Sequence, residues 1–119
     1  MSKINWPTAD ELNKHWKNDR QSLTDDHTET YKKAVEKFGE VHQMIKSFEE
    51  ISELNLAIAR IMNDFTTDKI TDQHFDNLCE EIADVEIMIE QLKIIFDCHA
   101  IIETVKKQKI ERLKGLIDD

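Results

Sequence analysis

The chain of 119 residues contains only two glycines and one proline. Sheets need frequent reversals built from those two residue types, so their scarcity argues against strands and for long helices. No apolar run reaches the roughly 18 residues needed to span a bilayer. The opening segment, MSKINWPTADEL, lacks the apolar core of a secretion signal. Basic charge is also in deficit: 16 Lys and Arg stand against 25 Asp and Glu, for a net charge of −9. Binding nucleic acid requires a basic face that neutralises phosphates, so that class is disfavoured. A nucleotide enzyme is compatible with this balance, because carboxylates can hold a metal ion that in turn binds phosphates. Cysteine is sparse. Cys79 and Cys98 are too far apart along one apparent helix to bridge, and they read as buried thiols in a reducing compartment, so the expected location is cytoplasmic.

What the chain does have is charge, at 34% of residues, and helical periodicity. Thr8-Ala9-Asp10-Glu11 after Pro7 forms a capping box, which predicts a first helix from Ala9 to about Arg20 carrying Leu12 and Trp16. A polar loop follows. Residues 1–28 are thus expected as an N-terminal capped helix with its loop, and residues 29–119 as one helical domain. A second helix should begin after Asp26, carry Tyr31, Val35 and Phe38, and weaken or bend at Gly39. From Val41 to Asn63, Ile45, Phe48, Ile51, Leu54, Ile58 and Ile61 or Met62 recur every three or four residues and predict an inward stripe. Asp64 to Thr71 reads as a polar connection. Thr71 or Asp72 then caps a helix with Phe75, Leu78, Ile82, Val85, Ile89, Leu92 and Phe96 on one face. A turn is expected around Asp97 to His99, and a last helix from Ala100 to Lys114 with Gly115 as its cap.

The fold class expected is all-α, an antiparallel bundle of four to five helices. Ile87-Met88-Ile89 and Ile94-Ile95-Phe96 are apolar triplets seven residues apart, and they spread around most of one helix. One packed side does not require this, so a homo-oligomer, a dimer or tetramer, is expected to complete the bundle.

Two segments carry the same acidic signature: Glu49-Glu50-Ile51-Ser52-Glu53 and Glu80-Glu81-Ile82-Ala83-Asp84. Glu50 and Glu53 share one helix face, as do Glu81 and Asp84, and no other Glu precedes an acidic residue by three. Like charges at that spacing destabilise a helix and call for a compensating cation. The first pair lies about 17 Å before its helix end and the second about 16 Å after the next helix start. A short connection makes the two helices antiparallel neighbours, so the four carboxylates should arrive level. An all-oxygen donor set suits Mg²⁺, Mn²⁺ or Ca²⁺ rather than zinc or copper.

Helical steps back from Glu50 reach Lys46 and then His42 and Gln43; steps forward from Glu53 reach Ala57 and Arg60. Asn77 and Gln91 lie in line with Glu81 and Asp84. A cation on each side of a metal cluster is what a triphosphate requires, which singles out Lys46 and Arg60. Each acidic pair alone reads more readily as a solvated face; two level pairs beside an apolar stripe favour metal. His42 alone would read as a packing or surface residue, and His15, His27, His74 and His99 are read that way. Trp6, Trp16 and Tyr31 read as core cover, and the basic run Lys106-Lys107, Lys109 and Arg112 as a solvated face.

Glu-x-x-Glu, 27 intervening residues and Glu-x-x-Asp resemble the signature of the all-α NTP pyrophosphohydrolases, the superfamily of MazG, dimeric dUTPases and dCTP pyrophosphatases. The stretch Ala34–Phe96 looks most like the short MazG-like proteins of phages and Gram-positive bacteria. It is carried by AVEKFGEVHQMIKSFEEISEL and DNLCEEIADVEIMIEQLKIIF, with ERLKGLI closing the last helix. The resemblance implies Glu50, Glu53, Glu81 and Asp84 as Mg²⁺ ligands, with Mn²⁺ an alternative. It also implies hydrolysis of a (d)NTP between the α and β phosphates, giving a (d)NMP and pyrophosphate. Glu49 and Glu80 adjoin the motifs and are candidates to orient the attacking water. Lys46, Arg60, His42 and Gln91 are candidates for the substrate; many relatives have Asn where this chain has Gln91. No membrane or nucleic-acid partner is expected. A di-iron bundle would need Glu-x-x-His pairs, and the chain has none. The standing alternative is a catalytically silent binding or regulatory module on the same scaffold.

Overall fold

A computed structural model describes residues 27–118. The capping box and the helix expected over 9–20 lie outside those residues, as does most of the loop after it. Among the described residues the chain forms helices and no strand. Helix α1 covers residues 27–38, α2 Glu40–Thr67, α3 Asp72–Phe96 and α4 His99–Asp118. None of the helices among these residues is long and apolar enough to cross a membrane.

Gly39 separates α1 from α2 with φ +95°, a backbone state that L side chains rarely adopt. Its N–H still donates to Val35 O at 2.8 Å, and its carbonyl receives Gln43 N–H at 3.0 Å. These two bonds bridge the break between the helices. At the other end, α2 runs one turn beyond the boundary suggested by the polar residues after Asn63. Thr66 and Thr67 both donate their hydroxyls to Asn63 O, which offers those residues local partners inside a helix. Asp68 then takes the left-handed conformation, and its N–H and that of Lys69 close on Phe65 O and Asp64 O. Helix α3 starts on Thr71, whose hydroxyl accepts from His74 N–H at 3.1 Å. It ends at Asp97, again left-handed, which confirms the expected turn. Helix α4 continues through Gly115 to Asp118, so that glycine is a helical residue rather than a cap. Cys79 and Cys98 are both free, and both are partly exposed rather than buried.

Among the described residues, α2 and α3 pack against each other along their length. Gln43 meets Gln91 and Asp64 meets His74, which fixes them as antiparallel. The composition of their contact departs from expectation. The side of α2 that is buried consists of Gln43, Ser47, Glu50, Ala57 and Asp64, joined by Val85, Met88 and Gln91 of α3. Ile45, Phe48, Ile51, Ile58 and Met62, expected to face inward, are exposed; Phe48 retains 74% of its surface. Ile82, Ile89 and Phe96 of α3 are exposed as well. Small and polar residues along one line let the two backbones approach closely, and each buried polar side chain then needs a partner within the seam. Gln43 Nε2 donates to Gln91 Oε1 at 2.7 Å, Gln91 Nε2 to Met88 Sδ at 3.7 Å, and Ser47 Oγ to Gln43 O at 2.8 Å. Helix α4 buries no residue at all.

Ala57 is the tightest point of the seam, with 1% of its surface exposed. Ala57→Leu should cost about 1–3 kcal/mol by overpacking, read as a lower urea midpoint with helicity retained in buffer. An unchanged midpoint would show that α2 and α3 do not meet there.

Candidate metal centre

Halfway along the seam, Glu50 and Glu53 of α2 meet Glu81 of α3. One carboxylate oxygen from each lies within 4.8 Å of the other two. The i, i+3 spacing on α2 and the antiparallel register across the short 68–71 connection bring them level. Glu50 is buried, Glu53 exposed and Glu81 in between, so the cluster opens to solvent on one side. Asp84, the fourth residue of the motif, is exposed one turn further along α3 and lies outside this three-oxygen group. It is near enough for its charge to act on Glu81.

The electrostatics are those of a crowded, only partly compensated acidic site. Withdrawal from water, then the charges of Glu53, Asp84 and Glu50, then a hydrogen bond with Glu53 raise the Glu81 carboxyl above the ordinary range. Glu50 Oε2 and Glu81 Oε2 are both buried and have no hydrogen-bond partner. Buried oxygens are rarely left this way, because an unsatisfied polar atom loses its hydration without replacement. A hard divalent cation takes oxygen donors of this type, so the donor set fits such an ion. Lys46 partly offsets the charge from one side. Its Nζ lies 3.1 Å from Glu50 Oε1. The hydrogen bond to Glu50 and then its charge raise the Lys46 pKa above the usual value, with burial opposing and Glu49 and Glu53 adding.

The remaining sequence candidates are distributed as follows. Glu49 is exposed on α2 beside this ion pair, and Glu80 is exposed on α3. Arg60 and Glu80 line an open cleft of about 770 Å³ with Gln73, His74, Asp76 and Asn77. His42 is exposed; its Nδ1–H donates to Gln43 Oε1 at 2.8 Å, and its ring lies tilted against Phe38 with centroids 5.9 Å apart. Gln91 is 4% exposed and commits its amide to Gln43 and Met88 within the seam.

Sequence reasoning passed over one pair. Asp64 Oδ2 lies 2.8 Å from His74 Nδ1 and also accepts Thr71 N–H at 3.4 Å, binding the end of α2 to the start of α3. The signal was present. Glu50, Ala57 and Asp64 are spaced by sevens, which continues the seam face into the stretch read as a connection.

No family model, curated protein or solved structure matches this chain.

Because the folded state holds the Glu81 proton more tightly than the unfolded chain, stability without metal should fall as pH rises through the raised pKa. The loss is absent below the ordinary glutamate value of about 4.3 and complete above the folded value. Glu81→Gln removes this component. In EDTA, the Tm of the variant should therefore gain on the wild type as pH rises towards neutrality. A constant difference across that range would show that Glu81 is not under strain.

Proposed function

We propose that this protein is a metal-dependent nucleoside triphosphate pyrophosphohydrolase that converts a (d)NTP to a (d)NMP and pyrophosphate. The observation that carries this reading is the meeting of Glu50, Glu53 and Glu81 with two buried oxygens left without partners. Its support is the donor chemistry of the cluster together with the double motif resembling the MazG-like enzymes.

In this reading Glu50, Glu53, Glu81 and Asp84 hold Mg²⁺ or Mn²⁺. When bound, such an ion polarises the α-phosphate and neutralises charge on the departing pyrophosphate. The protein's own groups supply position. Glu50 and Glu81 are fixed by the seam, so their carboxylates need little reorganisation on binding. Glu53 and Asp84 stand on the solvent side, where a ligand can reach them. Lys46 brings a cation to one flank and Arg60 to the other. Glu49 and Glu80, next to the ligands in sequence, would in this reading accept a hydrogen bond from the attacking water.

The same proposal includes self-association. Ile45, Phe48, Ile87 and Ile89 leave apolar surface on both helices outside their seam. A folded monomer rarely keeps large contiguous apolar patches wet, and burial against a second copy contributes roughly 25 cal/mol per Å².

Three measurements bear on this reading. Incubation with a panel of NTPs and dNTPs and Mg²⁺ should release pyrophosphate and the monophosphate, with ¹⁸O from water found in one of those two products. Early nucleoside diphosphate would instead indicate a phosphatase. Glu53→Ala or Asp84→Ala should abolish turnover with helicity near normal, whereas full activity in either, or in excess chelator, would refute the ligand assignment. Light scattering at micromolar concentration should give a mass above 14.0 kDa, and Phe48→Glu with Ile87→Glu should reduce it. A monodisperse wild-type monomer would rule out self-association.

A further inference from the structure

A nucleotide bound at the carboxylates could extend in either direction along the helix pair, and the two directions differ in chemistry. Towards the start of α2 stands Lys46, one turn before Glu50 and in contact with it at 3.1 Å. In the opposite direction the α2–α3 pair opens into the cleft lined by Arg60, Gln73, His74, Asp76, Asn77 and Glu80. Asn77 precedes Glu81 by one helical turn, about 6 Å, so the cleft adjoins the cluster directly.

We propose that this cleft receives the nucleoside of the substrate, with His74 and Asn77 as the groups that read it, so that the polyphosphate runs from the carboxylates towards Lys46. This rests on the pyrophosphohydrolase reading for the identity of the substrate but not for the chemistry of the cleft.

Charge distinguishes the two flanks: outside the cluster itself, Lys46 has one further carboxylate nearby, Glu49, against two beside Arg60. Among the described residues lining the cleft, Arg60 is the one permanent cation, against the carboxylates of Asp76 and Glu80. A polyphosphate tail would meet a net negative wall there, and like charges at contact distance repel strongly where water is partly excluded. A neutral sugar and base meet suitable partners instead. Carboxylates accept from ribose hydroxyls and base N–H groups, while the amides of Gln73 and Asn77 both donate and accept. The described lining is rich in hydrogen-bonding groups, which suits recognition of a sugar and base by hydrogen bonds. The volume, about 770 Å³, falls within the roughly 300–1,000 Å³ of small-molecule sites.

His74 is held as a reading group should be. Its backbone N–H is fixed on Thr71 Oγ1 at 3.1 Å, and its ring on Asp64 at 2.8 Å. A carboxylate oxygen only accepts, so Nδ1 carries a proton, and Nε2 is the ring nitrogen left to meet a ligand. Asp64 is itself buried, and the second bond it accepts, from Thr71 N–H, further fixes its position. A buried carboxylate clamping a partly exposed imidazole at a cleft wall fixes the direction of Nε2 before any ligand arrives.

The test uses the products separately, with the full chain in Mg²⁺. AMP, GMP, CMP and UMP, with their deoxy counterparts, are titrated against ¹⁵N-labelled protein, and inorganic pyrophosphate is titrated in parallel. At least one monophosphate should shift the signals of His74 and Asn77, whereas pyrophosphate should shift those around Lys46. Asn77→Ala and His74→Gln should each weaken that monophosphate about ten-fold, the loss of one hydrogen bond, and change pyrophosphate affinity by less than about two-fold. Asn77 has no role in the α2–α3 turn, so its variant remains informative if His74→Gln loosens the fold. Pyrophosphate shifting the cleft signals, no monophosphate shifting them, or unchanged monophosphate affinity in Asn77→Ala would overturn the assignment. Monophosphate binding in the cleft without any hydrolysis would uphold it and refute the activity. Hydrolysis with an unperturbed cleft would do the reverse.

Discussion

The close, polar contact between α2 and α3 is the constraint on which the other features depend. Polar side chains cannot be buried between helices without partners, and in this seam almost every one has found one. Gln43 and Gln91 pair with each other, Ser47 returns to the backbone, and Asp64 is clamped by His74 and Thr71. The exception lies at the middle. Glu50 and Glu81 each keep one buried oxygen without a partner, in a region where Glu53 and Asp84 add more negative charge. The satisfied contacts at either end of the seam hold the unsatisfied carboxylates in place. Without them, like-charge repulsion would be relieved by the helices moving apart.

The same seam explains the exposed apolar surface. A helix has one line of closest approach to each neighbour, and on α2 that line is taken by Gln43, Ser47, Glu50, Ala57 and Asp64. Ile45, Phe48 and Met62 are rotated away from it and remain in water within a single chain. The apolar stripe and the acidic site thus occupy different sides of one helix. A partner could cover the first without closing the second, as the proposed self-association requires.

The two flanks of the cluster differ as well. Lys46 sits one turn away on α2, already drawn to Glu50, whereas Arg60 is separated from Glu53 by two turns and lies among carboxylates and amides. Arg60 and Lys46 looked equivalent as cations counted along a helix. Lys46 pairs within α2, whereas Arg60 shares its cleft with residues of α3, and the proposed orientation rests on that difference.

Much of this was legible in the residues. The lack of Gly and Pro and the three-to-four spacing of apolar residues determined long helices, because backbone propensity and periodicity are local properties. Gly39 marked the break between α1 and α2, since only a residue without Cβ takes its positive φ easily. The short connection and constant rise per residue set Glu50, Glu53 and Glu81 at one level. Tertiary structure alone decided which side of α2 faces α3. Hydropathy ranks the sides of a helix by polarity and is silent on which neighbour each one meets, so Phe48 was read as inward and Asp64 as loop. The fate of Gln91 followed the same rule: its position in line with Asp84 was clear from the spacing, but burial against Gln43 depends on a residue 48 positions away. The pairing of Asp64 with His74 likewise exists only because the two helices close on each other, bringing a seam position of one against the first turn of the other.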